Sequence, residues 1–353
     1  YVQKVISVTL NHPIPAINWS HYADSCEAKA NAFLPKLGQP LRRLFFVAAF
    51  LRRMWAMLKD HNRFNYSGIS TRSSFEWPDG KRIAFYIALN IEHFPFGEGG
   101  GINLDRETNP WSQRSWLWRE YGNRVGGWRL ADLLDDLELN VGVIVNAANY
   151  SHSPELLDRY RKRGDEMIGH GISNGTRRPI DMTIEEEARM VAEVTEIMTK
   201  ADGKRPNGWL SSYLTPSQKT PDILSAAGYE YLLDWGLCDE QPFWMKTDNS
   251  EILTLPYPIE LNDQPAIVGR RVSAEEYANM IIDQFDVLMD LKEPHPLVFP
   301  LSFHSFIVGQ PFRQKHLKRA LDYICKRRDE IWITTPNEIS MFYRQPPADK
   351  QLR

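Results

Sequence analysis

The chain has 353 residues, 42% hydrophobic and 25% charged, with a formal net charge of -3. That length suits one α/β barrel plus an extension, and the composition is that of a globular chain able to bury a core. The slightly acidic balance argues against a protein that grips nucleic acid through a basic surface.

The first 56 residues differ from the rest. Asn11-His12-Pro13-Ile14-Pro15 and its neighbours show no sustained period, and the start lacks the ordered regions of a signal peptide. Leu41 to Trp55 is an apolar run with one arginine pair near its start and another near its end, read as a helix packed on the barrel or on a second subunit. Peripheral membrane contact through 41–55 is the less favoured reading. No stretch reaches the roughly 18–20 apolar residues that cross a bilayer. The change of character near Met57 makes it a candidate natural start. The expected organisation is an extension over 1–56, a catalytic barrel over 57–345 and a tail over 346–353.

From Lys81 the pattern becomes regular. Arg82 to Asn90 is nearly all apolar after Pro78-Asp79-Gly80, as in a strand buried on both faces. The glycines of 97–101 lack the Gly-Lys-Ser/Thr ending of a phosphate loop. Trp128–Leu137 reads as an amphipathic helix and Val141–Asn146 as the next strand. Pro154 to Gly164 reads as a helix capped by Ser153 and ended by glycine. Met167-Ile168 then runs into Gly169-His170-Gly171, and Thr183 with Glu186 opens a long helix as a capping box.

Strand and helix go on alternating. Strands are expected over 207–210, 229–234, 252–256, 296–303 and 331–333, with helices over 220–227, 274–291 and 314–326. With no hairpin signal, this predicts a parallel sheet with right-handed crossovers: an α/β fold, a distorted (β/α) barrel of about seven parallel strands.

Polar residues recur near the ends of these apolar runs or in the loops after them: Asn90, Glu92 and His93, Arg124, then His170 and Asn174, Asn262 and Asp263, and His304. Barrel enzymes build sites at such strand ends. No Gly-x-Ser-x-Gly elbow is present, and Cys26, Cys238 and Cys325 lack paired spacing or a base-bearing context. Covalent serine or cysteine chemistry therefore has no support, and a reducing, cytoplasmic setting is expected. Among the 11 tryptophans, Trp209 and Trp235 are candidates for a pocket wall, with core packing the equal alternative.

Six short stretches, in order, carry a resemblance: Leu89-Asn90-Ile91-Glu92-His93, Tyr121 to Arg129, Glu166 to Asn174, Arg205 to Trp209, Pro256-Tyr257 with Asn262-Asp263, and Phe303-His304 with Gly309 to Arg313. Together they resemble the polysaccharide deacetylase (NodB-homology) superfamily over about residues 57–345. Tyr121-Gly122-Asn123-Arg124-Val125-Gly126-Gly127-Trp128-Arg129 is similar to the signature of its allantoinase-like and cyclic-imide-hydrolysing branch. The resemblance implies a hydrolase of carbon–nitrogen bonds other than peptide bonds.

Metal-using members hold a divalent ion with an Asp and a His-x-x-x-His pair. Here the corresponding residues are Glu92, His170 and Asn174, and an amide oxygen is a poor zinc ligand beside imidazole. The expectation is therefore no required cofactor, with a divalent metal such as zinc on Glu92, His170 and Asn174 as the alternative. Glu92 is expected as general base, His170 to orient water, donate to the oxyanion or bind the metal, and His304 as general acid. Asn90, His93, Arg124, Trp209, Asn262 and Asp263 are expected to bind substrate, although a structural salt bridge suits Arg124 as well, and an Asx-turn suits Asn262 and Asp263. Arg313 is expected to brace the His304 loop.

The leading functional expectation is hydrolysis of a small amide, ureide or cyclic imide. The alternatives are a metal-dependent deacetylase of an N-acetylated carbohydrate and an inactive barrel acting as a binding module. The expected partner is a small-molecule substrate, not nucleic acid or a spanned membrane, and relatives of this kind suggest a homo-oligomer.

Overall fold

A computed structural model describes residues 61–98, 112–175, 177–291 and 295–345. The expected extension over 1–56, the arginine-bracketed segment 41–55 and the tail over 346–353 lie outside the described residues, as do Gly99, Gly100 and Gly101. The barrel's compact unit begins at Asn62.

Strand β1 (Ile83–Ile91) is the central rod, and all of its residues are buried. Its apolar run is that of a strand covered on both faces. Helix α1 (Gln113–Tyr121) and α2 (Gly127–Asp136) follow, joined by a π-helical turn over Gly122–Gly126. Then come β2 (Gly142–Val145), α3 (Pro154–Arg163), β3 (Glu166–Gly169), α4 (Ile184–Asp202) and β4 (Gly208–Trp209). After α5 (Thr220–Ala226) and β5 (Tyr231–Leu232), β6 (Phe243–Lys246) pairs antiparallel with β7 (Glu251–Thr254). The chain continues through α6 (Ala274–Asp290), β8 (Leu297–His304), α7 (Pro311–Cys325), β9 (Trp332–Ile333) and α8 (Pro336–Tyr343).

The sheet order is β6-β7-β5-β4-β3-β2-β1-β8, with β9 also on β1. Every pairing but β6–β7 is parallel. A bridge between Asn262 and Ser302 brings the segment after β7 against β8 and rounds the sheet. This is the expected α/β barrel with two corrections. Among the described residues it has nine strands, and it contains one antiparallel strand pair. The turn between β6 and β7 is closed by Thr247 N–H donating to Ser250 O, over Asp248-Asn249 rather than a glycine pair. Without that turn signal, the pair reads as loop in the sequence.

The Thr183–Glu186 capping box opens α4 as expected, and a second one, Thr335–Glu338, opens α8. Ser153 does not cap α3; its hydroxyl donates to Asn149 Oδ1 instead, and Pro154 starts the helix with a preset φ.

Register positions the site. Ile91 pairs with Val145, Val145 with Gly169, and Asn90 with His304. The next residue of each of the first three strands, Glu92, Asn146 and His170, therefore emerges side by side at one edge of the sheet.

The turn Gly122–Gly126 docks on the loop after β8 through glycines. A Cβ on Gly126 would lie 2.1 Å from Ser305 O, and one on Gly309 would lie 2.5 Å from Gly126 Cα. Only glycine allows backbones to approach this closely. Gly126→Ala is expected to cost about 1–3 kcal/mol by overpacking and to lower the calorimetric unfolding midpoint. An unchanged midpoint would mean the turn does not press on Ser305.

Candidate active site

At the edge of the sheet where β1, β3 and β8 end, a cleft of about 530 Å³ has Asn90, Glu92, His170 and His304 on its floor. Tyr213, Leu214, Tyr257 and Ile259 form walls, and Arg178 with Asp181 stands at the rim. A larger cleft of about 850 Å³ lies near the opposite strand ends. Among its charged residues, Arg163 is tied to Asp135 and Asp165, and Glu166 accepts from Tyr231 OH and from Asn337 N–H. None of the buried polar atoms without a partner, among the described residues, belongs to its lining. The smaller cleft holds the unspent chemistry.

Glu92 follows the last residue of β1 and is 6% exposed. Its Oε1 accepts a hydrogen bond from Asn174 Nδ2 at 2.7 Å. The same oxygen lies 3.5 Å from His170 Nε2 and 3.8 Å from His304 Nε2. Glu92 Oε2 and His170 Nε2 are buried and have no hydrogen-bond partner among the described residues. Burial pushes the Glu92 carboxyl up, but the charge of His304, with help from His170 and Asn174, outweighs it and holds the carboxyl below its ordinary range.

His170 donates Nδ1–H to the Leu210 carbonyl at 2.8 Å, since a carbonyl only accepts. That bond turns Nε2 toward Glu92. The glycines beside His170 allow close packing around it. A Cβ on Gly169 would lie 2.7 Å from the Trp209 ring, and Gly171, at φ +71°, faces Ser212 Oγ at 2.8 Å from an added Cβ.

His304 is backed by Asp263, which is fully buried. His304 Nδ1 donates to Asp263 Oδ1 at 2.7 Å, and the His304 backbone N–H donates to Oδ2 at 2.8 Å. Burial would lower the imidazole, but Glu92 and Asp263 together raise it above its ordinary value. Nδ1 keeps its proton toward Asp263, and in the imidazolium form Nε2 carries a second one that faces Glu92.

The other expected residues divide. Asn90 lines the cleft, and its Nδ2 donates to Ser302 Oγ and Phe303 O at 3.1 and 3.0 Å. Asn262 also lines it and accepts from Gln264 N–H at 3.0 Å, an Asx-turn. Asp263 reaches the site only through His304. His93, Arg124 and Trp209 are outside the lining. His93 packs against the ring of His152, with centroids 4.5 Å apart. Trp209 is buried in the core beside Tyr229. Trp235 packs edge-on against Phe64. Arg124 is exposed, while its buried neighbour Asn123 donates to the Glu92 carbonyl at 3.0 Å. Arg313 does brace the loop after His304, donating to Ile307 O at 3.2 Å.

Sequence reasoning missed Asn146, Asn123 and Tyr213. Asn146 ends the apolar run Val143-Ile144-Val145, the same signal that marked Glu92. Tyr213 and Leu214 take the left-handed backbone, at φ 61° and 55°, a conformation that costs non-glycine residues of order 1 kcal/mol and gathers at functional sites. The Tyr213 hydroxyl donates to Asn174 O at 2.5 Å, tying this strained turn to the site.

A divalent metal does not fit Glu92, His170 and Asn174 as they stand. Asn174 turns its Nδ2 donor toward Glu92 and spends its Oδ1 on Asn146 Nδ2 at 3.1 Å. A cation would meet the nitrogen of that amide, which has no lone pair to give.

No protein-family model matches the chain. A Schizosaccharomyces pombe protein, named by inference as a polysaccharide deacetylase, is 21% identical over 298 residues, covering 75% of this chain and 91% of its own. The Helicobacter pylori peptidoglycan deacetylase is 23% identical over 218 residues, covering 53% of this chain and 73% of its own. A probable polysaccharide deacetylase from Pseudomonas aeruginosa has the same fold with a TM-score of 0.69 at 24% identity, covering 77% of this chain and 94% of that one. The Puue allantoinase matches with a TM-score of 0.70 at 21% identity, covering 81% and 98%. The resemblance read from the motifs is thus matched by named relatives in sequence and by a shared NodB-type barrel.

The Asp263–His304 pair gives a direct check. Asp263→Asn removes one of the two charges that raise His304, so the imidazole's titration midpoint, followed by NMR of its carbon-bound ring protons, should fall. An unmoved midpoint would mean that the pair is not formed.

Proposed function

We propose that this chain is a hydrolase of carbon–nitrogen bonds other than peptide bonds, acting on a small amide, ureide or cyclic imide. The observation that carries the reading is one buried carboxylate, Glu92, whose Oε1 lies near two imidazole nitrogens, one of them backed by a buried aspartate, and whose Oε2 has no hydrogen-bond partner among the described residues.

The arrangement supplies the proton movements that amide hydrolysis needs. Water held between His170 Nε2 and Glu92 Oε2 gives its proton to Glu92 as its oxygen adds to the carbonyl carbon. His304 Nε2 gives its proton to the nitrogen as the carbon–nitrogen bond breaks, and Asp263 stabilises the imidazolium beforehand. The depressed Glu92 favours the ionised base and the raised His304 favours the protonated acid, the directions this mechanism needs. Activity should fall as acid protonates Glu92 and as base removes the proton of His304. The half-enclosed cleft, with Tyr213, Tyr257 and Ile259 as walls, suits a compact substrate.

A second reading, a deacetylase of an N-acetylated carbohydrate, is favoured by the names of the two curated relatives. A panel of hydantoins, ureides, cyclic imides and N-acetyl-hexosamines, run with and without chelator, separates the two. Turnover of a small amide or imide, undiminished by chelator, is expected. Turnover of N-acetyl sugars alone, abolished by chelator, would overturn the leading reading. Glu92→Gln and His304→Ala should each lower kcat by about 10²–10⁴-fold in variants whose circular dichroism shows the fold retained. Near-normal rates in either would remove the proposed base or acid.

A further inference from the structure

We propose that Asn146 is a positioning residue that sets the direction of a two-amide relay ending on Glu92. The proposal rests on the reading of Glu92 as the base and adds what fixes the group that Glu92 meets.

Four hydrogen bonds define the relay. The His93 backbone N–H donates to Asn146 Oδ1 at 2.8 Å. Asn146 Nδ2 donates to the His170 carbonyl at 2.6 Å and to Asn174 Oδ1 at 3.1 Å. Asn174 Nδ2 donates to Glu92 Oε1 at 2.7 Å. Both asparagines are buried, at 0% and 1% exposure, so water does not compete.

The direction follows from groups that cannot be reversed. An asparagine amide can turn over and exchange oxygen for nitrogen, but a backbone N–H only donates and a backbone carbonyl only accepts. Turning Asn146 over would set its NH2 against the His93 N–H and its oxygen against the His170 oxygen, breaking both bonds at once. Asn146 is therefore locked with its nitrogen toward Asn174. Asn174 must answer with its oxygen, which leaves its nitrogen for Glu92. The polarity set by two peptide groups is thus passed through two side chains to the carboxylate. The same lock ties the ends of β1, β2 and β3, since Asn174 N–H also donates to His93 O at 2.8 Å.

The test reads the relay by NMR of the Asn174 side-chain amide, with asparagine-selective ¹⁵N labelling and assignment by loss of the signal in Asn174→Leu. In the otherwise unaltered protein, Glu92→Gln should move an Asn174 amide proton upfield, because an ionised acceptor is replaced by a neutral one. No movement would overturn the relay without any change at position 146. In Asn146→Asp, an acceptor replaces the donor toward Asn174, so its amide should turn over and the response to Glu92→Gln should fall to less than half. Asn146→Leu, which adds no charge, should also reduce it. A full response in either folded variant would overturn the proposal. Should no substrate be hydrolysed while the coupled shifts appear, the relay stands and the enzymatic reading falls.

Discussion

The site is organised by the cost of keeping an ionised carboxylate out of water. A charge of this kind, unpaired in the interior, costs several kcal/mol even after relaxation. Glu92 ends an apolar strand and is nearly enclosed, so its compensation must come from other elements. The loop after β3 supplies a hydrogen bond from Asn174, and β3 and β8 bring His170 and His304 close. His304 is buried as well, and Asp263 compensates the charge of its imidazolium form. The result is a buried row of carboxylate, imidazole and carboxylate in which each charge justifies the next. Such a row exists only where several strand ends meet, which is why the chemistry sits at this edge of the barrel.

Much of this was legible in the sequence because two signals coincide at strand ends. An apolar run dictates a buried strand, and a polar residue closing it must be satisfied or used. Asn90, Glu92, His170, Asn262, Asp263 and His304 were all found in this way, and the structure brings them together. The rule failed where side-chain direction, not position, decided the outcome. Arg124 and Asn123 are adjacent in one motif, yet the π-helical turn exposes the arginine and buries the asparagine against the Glu92 carbonyl. His93 is adjacent to Glu92 and faces His152 instead of the cleft. Trp209, expected to bind substrate, fills core space beside Gly169 instead.

Other features had no local signal at all. Helix α1 mixes tryptophan, arginine and serine without an apolar stripe, and the β6–β7 turn has no glycine pair. The left-handed turn at Tyr213 and Leu214 is set by long-range contacts: Tyr213 reaches the Asn174 carbonyl, and Ser212 Oγ donates to the His170 carbonyl at 2.8 Å. Neighbours in sequence cannot report such constraints, because the strain is offset by groups some forty residues away.

The asparagine at position 174 illustrates a general asymmetry between ligands. An imidazole offers a lone pair whose direction is set by one bond from its other nitrogen, as Leu210 sets His170. A primary amide offers a donor and an acceptor that differ little in shape, so its role beside a carboxylate is defined only when something selects its orientation. That selector must be fixed as well, and the sequence of dependence ends only at a group that cannot turn over. Here it ends at two peptide groups, His93 N–H and His170 C=O, with Asn146 between them and Asn174. An amide at position 174 is thus oriented only by a second group. It requires a partner on the neighbouring strand, and Asn146, closing β2 in the same row as Glu92 and His170, occupies the position from which both peptide groups can be reached.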